Sequence, residues 1–126
     1  MFSTKDIKSQ KYISLETYRK NNQPVKTAVW FVIKDDLVYV VTREQTGKVK
    51  RLRNNLQVKF APCTVRGKVT GEWISGTAKI LSGQEIKDAV KMRDKKYGFM
   101  AMIAKFASKN KGDFFAFTIS QSQDLT

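Results

Sequence analysis

The chain has 126 residues and a formal net charge of +13, from 24 lysines and arginines against 11 aspartates and glutamates. This length predicts a single domain, 1–126, and the charge favours an anionic ligand or partner. Histidine is absent, which excludes Ser-His-Asp and Cys-His catalysis, and the one cysteine excludes an internal disulfide and an ordinary zinc site. With no apolar run long enough to span a bilayer and no signal peptide, we expect a cytoplasmic protein without a membrane partner.

The first third of the chain reads as a short capped turn followed by three strands. Ser3 or Thr4 is suited to cap one helical turn within residues 1–10. Alternating polar and apolar residues then predict strands at 12–18, 25–33 and 37–42. Turn chemistry at 21–24 and at Asp35-Asp36 joins these strands as hairpins, and the two aspartates are interpreted as turn residues rather than catalytic ones.

The basic segment 42–55, TREQTGKVKRLRNN, is predicted to contain a short helix at 46–53. Val49 and Leu52 lie three residues apart and would seat this helix on the sheet. Lys48 and Arg51 then share one flank, and Lys50 lies on the other.

The start of this helix is a candidate anion site, because free backbone N–H groups beside cations bind phosphate. Thr46 would donate a hydroxyl hydrogen bond, Gly47 would let the backbone approach the ligand, and Lys48 would supply charge. A lysine-rich helix that only faces solvent is the alternative. The GxxxxGK[ST] pattern of a P-loop is absent.

The second half of the chain predicts further strands at 56–61, at 72–81 with an interruption at Gly76, and at 114–120. Residues 82–85 have the spacing of a capping box, and helical periodicity follows over 86–96 and 99–108. Phe99, Ile103 and Phe106 occur at helical spacing, which favours packing in the core. Six or seven antiparallel strands with three or four short helices indicate an α+β, mainly β, barrel rather than a doubly wound sheet.

Two further segments are weighed as ligand contacts. The run from Lys26 to Phe31 alternates polar and apolar residues and is suited to holding a flat ring. The alternative places Trp30 and Phe31 on opposite faces, one in the core and one at an interface. Cys63 follows Pro62 at a strand end and is interpreted as a small buried hydrophobe, since no histidine is available to activate it.

Taken in order, five segments carry a resemblance to a known family: KYISLETYR (11–19), PVKTAVWFV (24–32), LVYVVT (37–42), TGKVKRLRNN (46–55) and APC (61–63), followed by Arg66-Gly67. The chain resembles the pyridoxamine 5′-phosphate oxidase-like superfamily with its split β-barrel fold. Within it, the chain is most similar to the small deazaflavin-dependent oxidoreductases, which use coenzyme F-420. Ala28 and Asn55 stand where relatives often have proline.

The resemblance implies a homodimer with two equivalent cofactor sites at the subunit interface and a small-molecule substrate. The phosphate end of the cofactor is expected at Thr42, Thr46, Gly47 and Lys48. Lys50 and Arg51 would contact the phosphate or an acidic tail. The ring system is expected along the second strand and near the APC segment, at Thr27, Ala28, Val29, Trp30, Pro62 and Cys63.

The expected activity is hydride transfer between F-420 and an organic substrate, for which the cofactor supplies the redox chemistry. An FMN-binding reductase and a cofactor-binding protein without turnover are the alternatives. A nucleic-acid-binding module, suggested by the charge, ranks below these. The lack of histidine disfavours ordinary axial ligation of heme.

Overall fold

A computed structural model describes residues 7–122 of the chain, so the expected cap at Ser3 or Thr4 lies outside the described residues. Seven strands form one sheet in the order β2-β1-β5-β6-β7-β4-β3, and all six neighbouring pairs are antiparallel. Three α-helices and a 3-10 turn at Lys109–Lys111 complete the described part. The strands are β1 Ile13–Tyr18, β2 Pro24–Val29, β3 Val32–Lys34, β4 Leu37–Arg43, β5 Gln57–Pro62, β6 Ile74–Ile80 and β7 Phe114–Gln121; the helices are α1 Gly47–Asn54, α2 Gln84–Tyr97 and α3 Phe99–Ala107.

The sheet curls into a split barrel. Strands β2 and β3 lie at opposite edges of the sheet, yet only Trp30 and Phe31 separate them along the chain. The prediction of one strand over 25–33 is therefore wrong. The backbone leaves the β2 ladder at this point because the Phe31 N–H donates to the Tyr97 hydroxyl instead, at 3.0 Å. The expected α+β, mainly β, antiparallel split barrel is confirmed.

The inside of the curled sheet is the main core, and α1 closes one side of it. Phe31, Phe60 and Phe117 are almost completely buried there. Val49 and Leu52 of α1 are 1% and 0% exposed in the same cluster, so the predicted short helix and its apolar face are confirmed. Burial of such an aliphatic side chain contributes about 2 kcal/mol, which holds α1 against the sheet.

Of two predictions about tight packing in the sheet, one is confirmed and one is wrong. Asp35 and Asp36 have φ angles of 53° and 63°, as a two-residue hairpin turn requires, and their predicted turn role is confirmed. The interruption expected at Gly76 is wrong, since β6 runs through it. A Cβ at Gly76 would lie 2.6 Å from Ile119 Cγ2 and 2.8 Å from the Ser120 carbonyl oxygen, so the glycine permits close packing of β6 and β7.

The helices between β6 and β7 depart from prediction at two places. The capping box at 82–85 is wrong, because Gly83 is the N-cap of α2 with a φ of 57°, and no side chain caps the helix. The expected core positions of Phe99, Ile103 and Phe106 are also wrong. All three are exposed, while small Ala101 occupies the buried side of α3. Among residues 7–122, no helix combines the length and apolarity needed to cross a membrane.

Candidate functional site

A cavity of about 360 Å³ opens beside the bend between β2 and β3, and we call it the Trp30 pocket. Its wall also includes the end of β4, the start of α1, the start of β7 and residues of α2 and α3. The structure thus brings together residues that the sequence assigned to separate segments. Six of the predicted site residues line this pocket: Ala28, Val29, Trp30, Thr42, Thr46 and Lys48.

The Trp30 pocket is positively charged. Four cations, Arg43, Lys48, Arg93 and Lys111, line it, and none of its lining residues within the described part is a carboxylate. Arg93 is buried and pairs with Asp94 at 3.1 Å, outside the pocket lining. An anion in this pocket would therefore meet an excess of positive charge in partly desolvated surroundings, where electrostatic attraction is strong.

The start of α1 faces this pocket. Thr46 is the N-cap, but its hydroxyl donates to the Arg43 carbonyl at 3.0 Å and does not cap the helix. The Thr46 hydroxyl, which was predicted to donate a hydrogen bond to a ligand, therefore donates to the protein instead. Its oxygen can still accept a hydrogen bond from a ligand. The first backbone N–H groups of a helix have no partner within it, so those after Thr46 are suited to an anionic oxygen.

Lys48 is a half-buried cation at the start of this helix. Burial lowers the pKa of its ammonium group, and repulsion from Arg51 lowers that pKa further. Arg51 is therefore close to Lys48, but the predicted grouping is wrong, because Lys48 lines the Trp30 pocket whereas Arg51 and Lys50 line another cavity together. An anion bound beside Lys48 would relieve both penalties and favour the charged form.

A second basic cavity of about 410 Å³ adjoins the start of α1, and we call it the Arg19 pocket. Arg51 is fixed at its edge, because its Nε donates to the buried Thr17 hydroxyl at 2.6 Å. Gly47 leaves room for the guanidinium, since a Cβ there would lie 2.8 Å from Arg51 Nη1. Burial lowers the pKa of Arg51, and repulsion from Arg19 lowers that pKa further. Four cations line this pocket together with a glycine and an asparagine: Arg19, Lys20, Lys50, Arg51, Gly47 and Asn54.

Sequence reasoning missed several cations of the two pockets. Arg19 and Lys20 follow β1 and come near α1 only because that helix packs on β1. Arg43 ends β4, and Arg93 lies in α2. The signal available for them was positive charge alone, which many residues of this chain share.

Trp30 is held in place from α2. Its ring stacks on the ring of Tyr97, with centroids 4.3 Å apart and an interplanar angle of 9°. The buried Tyr97 hydroxyl donates to the Lys11 carbonyl at 2.6 Å and accepts from the Phe31 N–H at 3.0 Å. Trp30 is therefore a fixed aromatic wall of the pocket, and Tyr97 is a positioning residue that no local sequence pattern indicated.

Lys96 braces the same bend. Its ammonium group donates to the Phe31 carbonyl at 2.8 Å and lies 3.9 Å from the centroid of the Phe31 ring. Burial lowers the pKa of Lys96 to about 8. Because its usual pKa is 10.5, the group contributes stability that is present above pH 10.5 and is lost as the pH falls through 8.

Replacing Lys96 with methionine is expected to flatten this pH dependence. In the parent protein, the free energy of unfolding should rise between pH 8 and pH 10, since the folded chain gives up the Lys96 proton first. Urea denaturation at half-unit pH steps measures the rise. Lys87→Met, at an exposed position of α2, is the control and should keep it. An equal rise in Lys96→Met would contradict the assignment.

Three predicted residues line neither pocket. Thr27 pairs with Leu15 in β2, and Pro62 ends β5 opposite Ile13. Cys63 is 6% exposed, and burial raises the pKa of its thiol, so its interpretation as a buried hydrophobe is confirmed. Its N–H donates to the carbonyl of Tyr12, a lining residue of the Trp30 pocket, at 3.2 Å. The APC segment therefore lies behind the pocket wall.

Several solved structures share this fold. The fold is similar to that of HutZ, the heme storage protein from Vibrio cholerae, with a TM-score of 0.72, 14% identity and coverage of 95% of this chain and 88% of that one. It is also similar to an F-420 reductase, with a TM-score of 0.65, 12% identity and coverage of 98% and 96%. A FAD-binding protein from Mesorhizobium loti gives a TM-score of 0.60, 15% identity and coverage of 95% and 85%.

These likenesses show a shared fold. No curated protein sequence matches the chain significantly. The profile of the family described as pyridoxamine 5′-phosphate oxidase matches residues 4–125, nearly the whole sequence. The chain therefore belongs to the pyridoxamine 5′-phosphate oxidase family.

Proposed function

We propose that this protein is an oxidoreductase that transfers a hydride between deazaflavin coenzyme F-420 and an organic substrate. The observation that carries the proposal is the pair of basic pockets on either side of the start of α1. Coenzyme F-420 has two anionic parts, a phosphodiester and a polyglutamate tail. FMN has a terminal phosphate alone and leaves the second pocket without a role.

The described residues fit this cofactor as a binding frame. Lys48 and the first N–H groups of α1 would hold the phosphodiester, and Trp30 would form an aromatic wall for the ring system. Arg19, Lys20 and Arg51 would attract the acidic tail in the Arg19 pocket. When bound, F-420 supplies the hydride chemistry, so the protein needs to bind, orient and exclude water.

The resemblance extends the proposal to assembly and location. We propose a homodimer with two equivalent cofactor sites at its interface, working in the cytoplasm. An FMN-binding reductase is the second candidate, since the Trp30 pocket alone offers an aromatic wall beside a basic anion site. A cofactor-binding protein without turnover is the third, and the heme storage protein among the structural neighbours is its precedent.

The test is to titrate Lys48→Met with the cofactor and to monitor binding by the fluorescence of Trp30 and Trp73. F-420 affinity should fall by roughly tenfold to a hundredfold, because a charge-assisted hydrogen bond is worth about 1.5–3 kcal/mol. The melting temperature should not fall, since Lys48 is a half-buried cation with a lowered pKa. Lys87→Met, outside both pockets, should bind F-420 as the parent does.

A second variant separates the two cofactors. Arg19→Gln with Lys20→Gln removes charge from the Arg19 pocket alone. It should weaken binding of F-420 with a long glutamate tail more than binding of FMN. Sub-micromolar FMN binding without F-420 binding would contradict the proposal, and so would unchanged F-420 affinity in Lys48→Met.

A further inference from the structure

An apolar strip runs along the outer side of α3. Phe99, Met102, Ile103 and Phe106 recur at the spacing of one helical face and are 74%, 66%, 55% and 72% exposed. Together with Met100, these side chains leave on the order of 500 Å² of apolar surface in water. The opposite side of α3, at Ala101, is buried. A continuous patch of this size marks a binding surface rather than scattered exposure.

Cations accompany the strip, and α3 itself contains no carboxylate. Lys105 lies in the last turn of the helix, and Lys109 and Lys111 follow in the 3-10 turn. The Lys109 ammonium group lies 4.4 Å from the Phe106 ring centroid, so its stem runs along the apolar strip. Asp94 of α2 contacts both Arg93 and Lys105, at 3.1 and 3.3 Å.

We propose that α3 docks this protein on the surface of an anionic lipid bilayer. An exposed face of phenylalanine, isoleucine and methionine flanked by lysines is typical of a helix that lies in the headgroup region. The negative surface of such a bilayer complements the lysines and the net charge of +13. The expectation of no membrane partner rested on the lack of a spanning segment, whereas α3 would lie on the bilayer without crossing it.

Charge decides between a bilayer and a second copy as the occupant. Two α3 strips packed in parallel would bring Lys105, Lys109 and Lys111 of both copies together, and an antiparallel pair would offer these cations no carboxylate of α3. Like charges at an interface oppose association. An anionic bilayer has the opposite sign and covers the same strip. The proposal does not depend on which cofactor the Trp30 pocket binds.

The experiment is co-sedimentation of the full chain with vesicles of phosphatidylcholine, pure or with one third phosphatidylglycerol. The parent protein should bind the mixed vesicles and not the pure ones. Phe106→Gln and Ile103→Gln keep the charge at +13 and remove apolar surface, so a loss of binding in them reports insertion and not attraction alone. Each should lower the partition coefficient by about tenfold or more, as expected for one large buried side chain.

Val65→Gln is the matched control, because Val65 is 64% exposed in the loop after β5, away from α3. It should bind vesicles as the parent does, and circular dichroism should show that all variants are folded. Binding that Phe106→Gln and Ile103→Gln leave unchanged would overturn the proposal. A parent dimer that these two variants split into monomers, measured by light scattering, would assign α3 to a second copy and would also overturn it.

Discussion

Replacing Arg43 with methionine is expected to lower the free energy of unfolding by about 2 kcal/mol. The Arg43 guanidinium joins the end of β4 to the last turn of α3 and to the chain that follows it. Its Nε donates to the Ser108 hydroxyl at 3.1 Å, its Nη2 to the Lys105 carbonyl at 3.0 Å and its Nη1 to the Gly112 carbonyl at 3.3 Å. Methionine leaves these acceptors without the guanidinium and also removes its contact with the Phe114 ring, whose centroid lies 3.8 Å from the guanidinium carbon.

Urea denaturation measures this change, and limited proteolysis locates it. Cleavage within 105–112 should become faster in Arg43→Met, because this segment loses its three side-chain hydrogen bonds to Arg43 and keeps the backbone bond from the Gln45 N–H to the Lys111 carbonyl. Arg53→Met is the control, since Arg53 is an exposed residue of α1 whose guanidinium lies 5.7 Å from the Phe115 ring centroid. Equal losses of stability in the two variants would show that the Arg43 hydrogen bonds contribute nothing specific.

Replacing Tyr97 with phenylalanine is expected to lower the free energy of unfolding by about 1–3 kcal/mol. The variant keeps the ring that stacks on Trp30 and removes the hydroxyl. The buried Phe31 N–H and the partly buried Lys11 carbonyl would then each lose a partner. Urea denaturation checks the loss, with Tyr39→Phe as the control. A change in Trp30 emission should accompany the loss, since Tyr97 fixes the bend that holds Trp30.

The same substitution should alter stability in alkali. Burial raises the pKa of Tyr97 from 10.0 to about 12. A folded-state pKa above the unfolded one contributes stability that is fully present below pH 10 and is lost as the pH rises through 12. The parent should therefore lose stability over this range more steeply than Tyr97→Phe. Burial and the neighbouring Glu16 also raise the pKa of Tyr18 to about 12. Tyr18 therefore accounts for any fall in stability with pH that remains in Tyr97→Phe.

The accurate predictions were local ones. The turn at Asp35-Asp36 and the short helix with Val49 and Leu52 inward depend on residues close together in sequence, and both are confirmed. The bend at Trp30-Phe31 was missed because its cause, the Tyr97 hydroxyl, lies 66 residues away. Helical spacing revealed an apolar face on α3 but not the side that faces the protein.

In the candidate site, too, the local features were predicted and the long-range ones were missed. Thr46 and Lys48 form a recognisable local pattern with the glycine between them, and the structure places both on the Trp30 pocket. The cations that complete the two pockets come from the end of β4, the turn after β1 and the middle of α2. Their assembly depends on strand order, which a single sequence specifies only through many weak long-range contacts.

The placement of β2 and β3 at opposite edges of one sheet also constrains how the chain folds. The hairpins β1–β2 and β3–β4 each close over a short loop and can form early. Strands β5, β6 and β7 come later in the chain and must pair between these two hairpins. The two residues at the bend keep the hairpins close together, which raises their effective concentration for that pairing. We therefore expect completion of the middle of the sheet to be the slow step of folding, since its contacts join residues far apart in sequence.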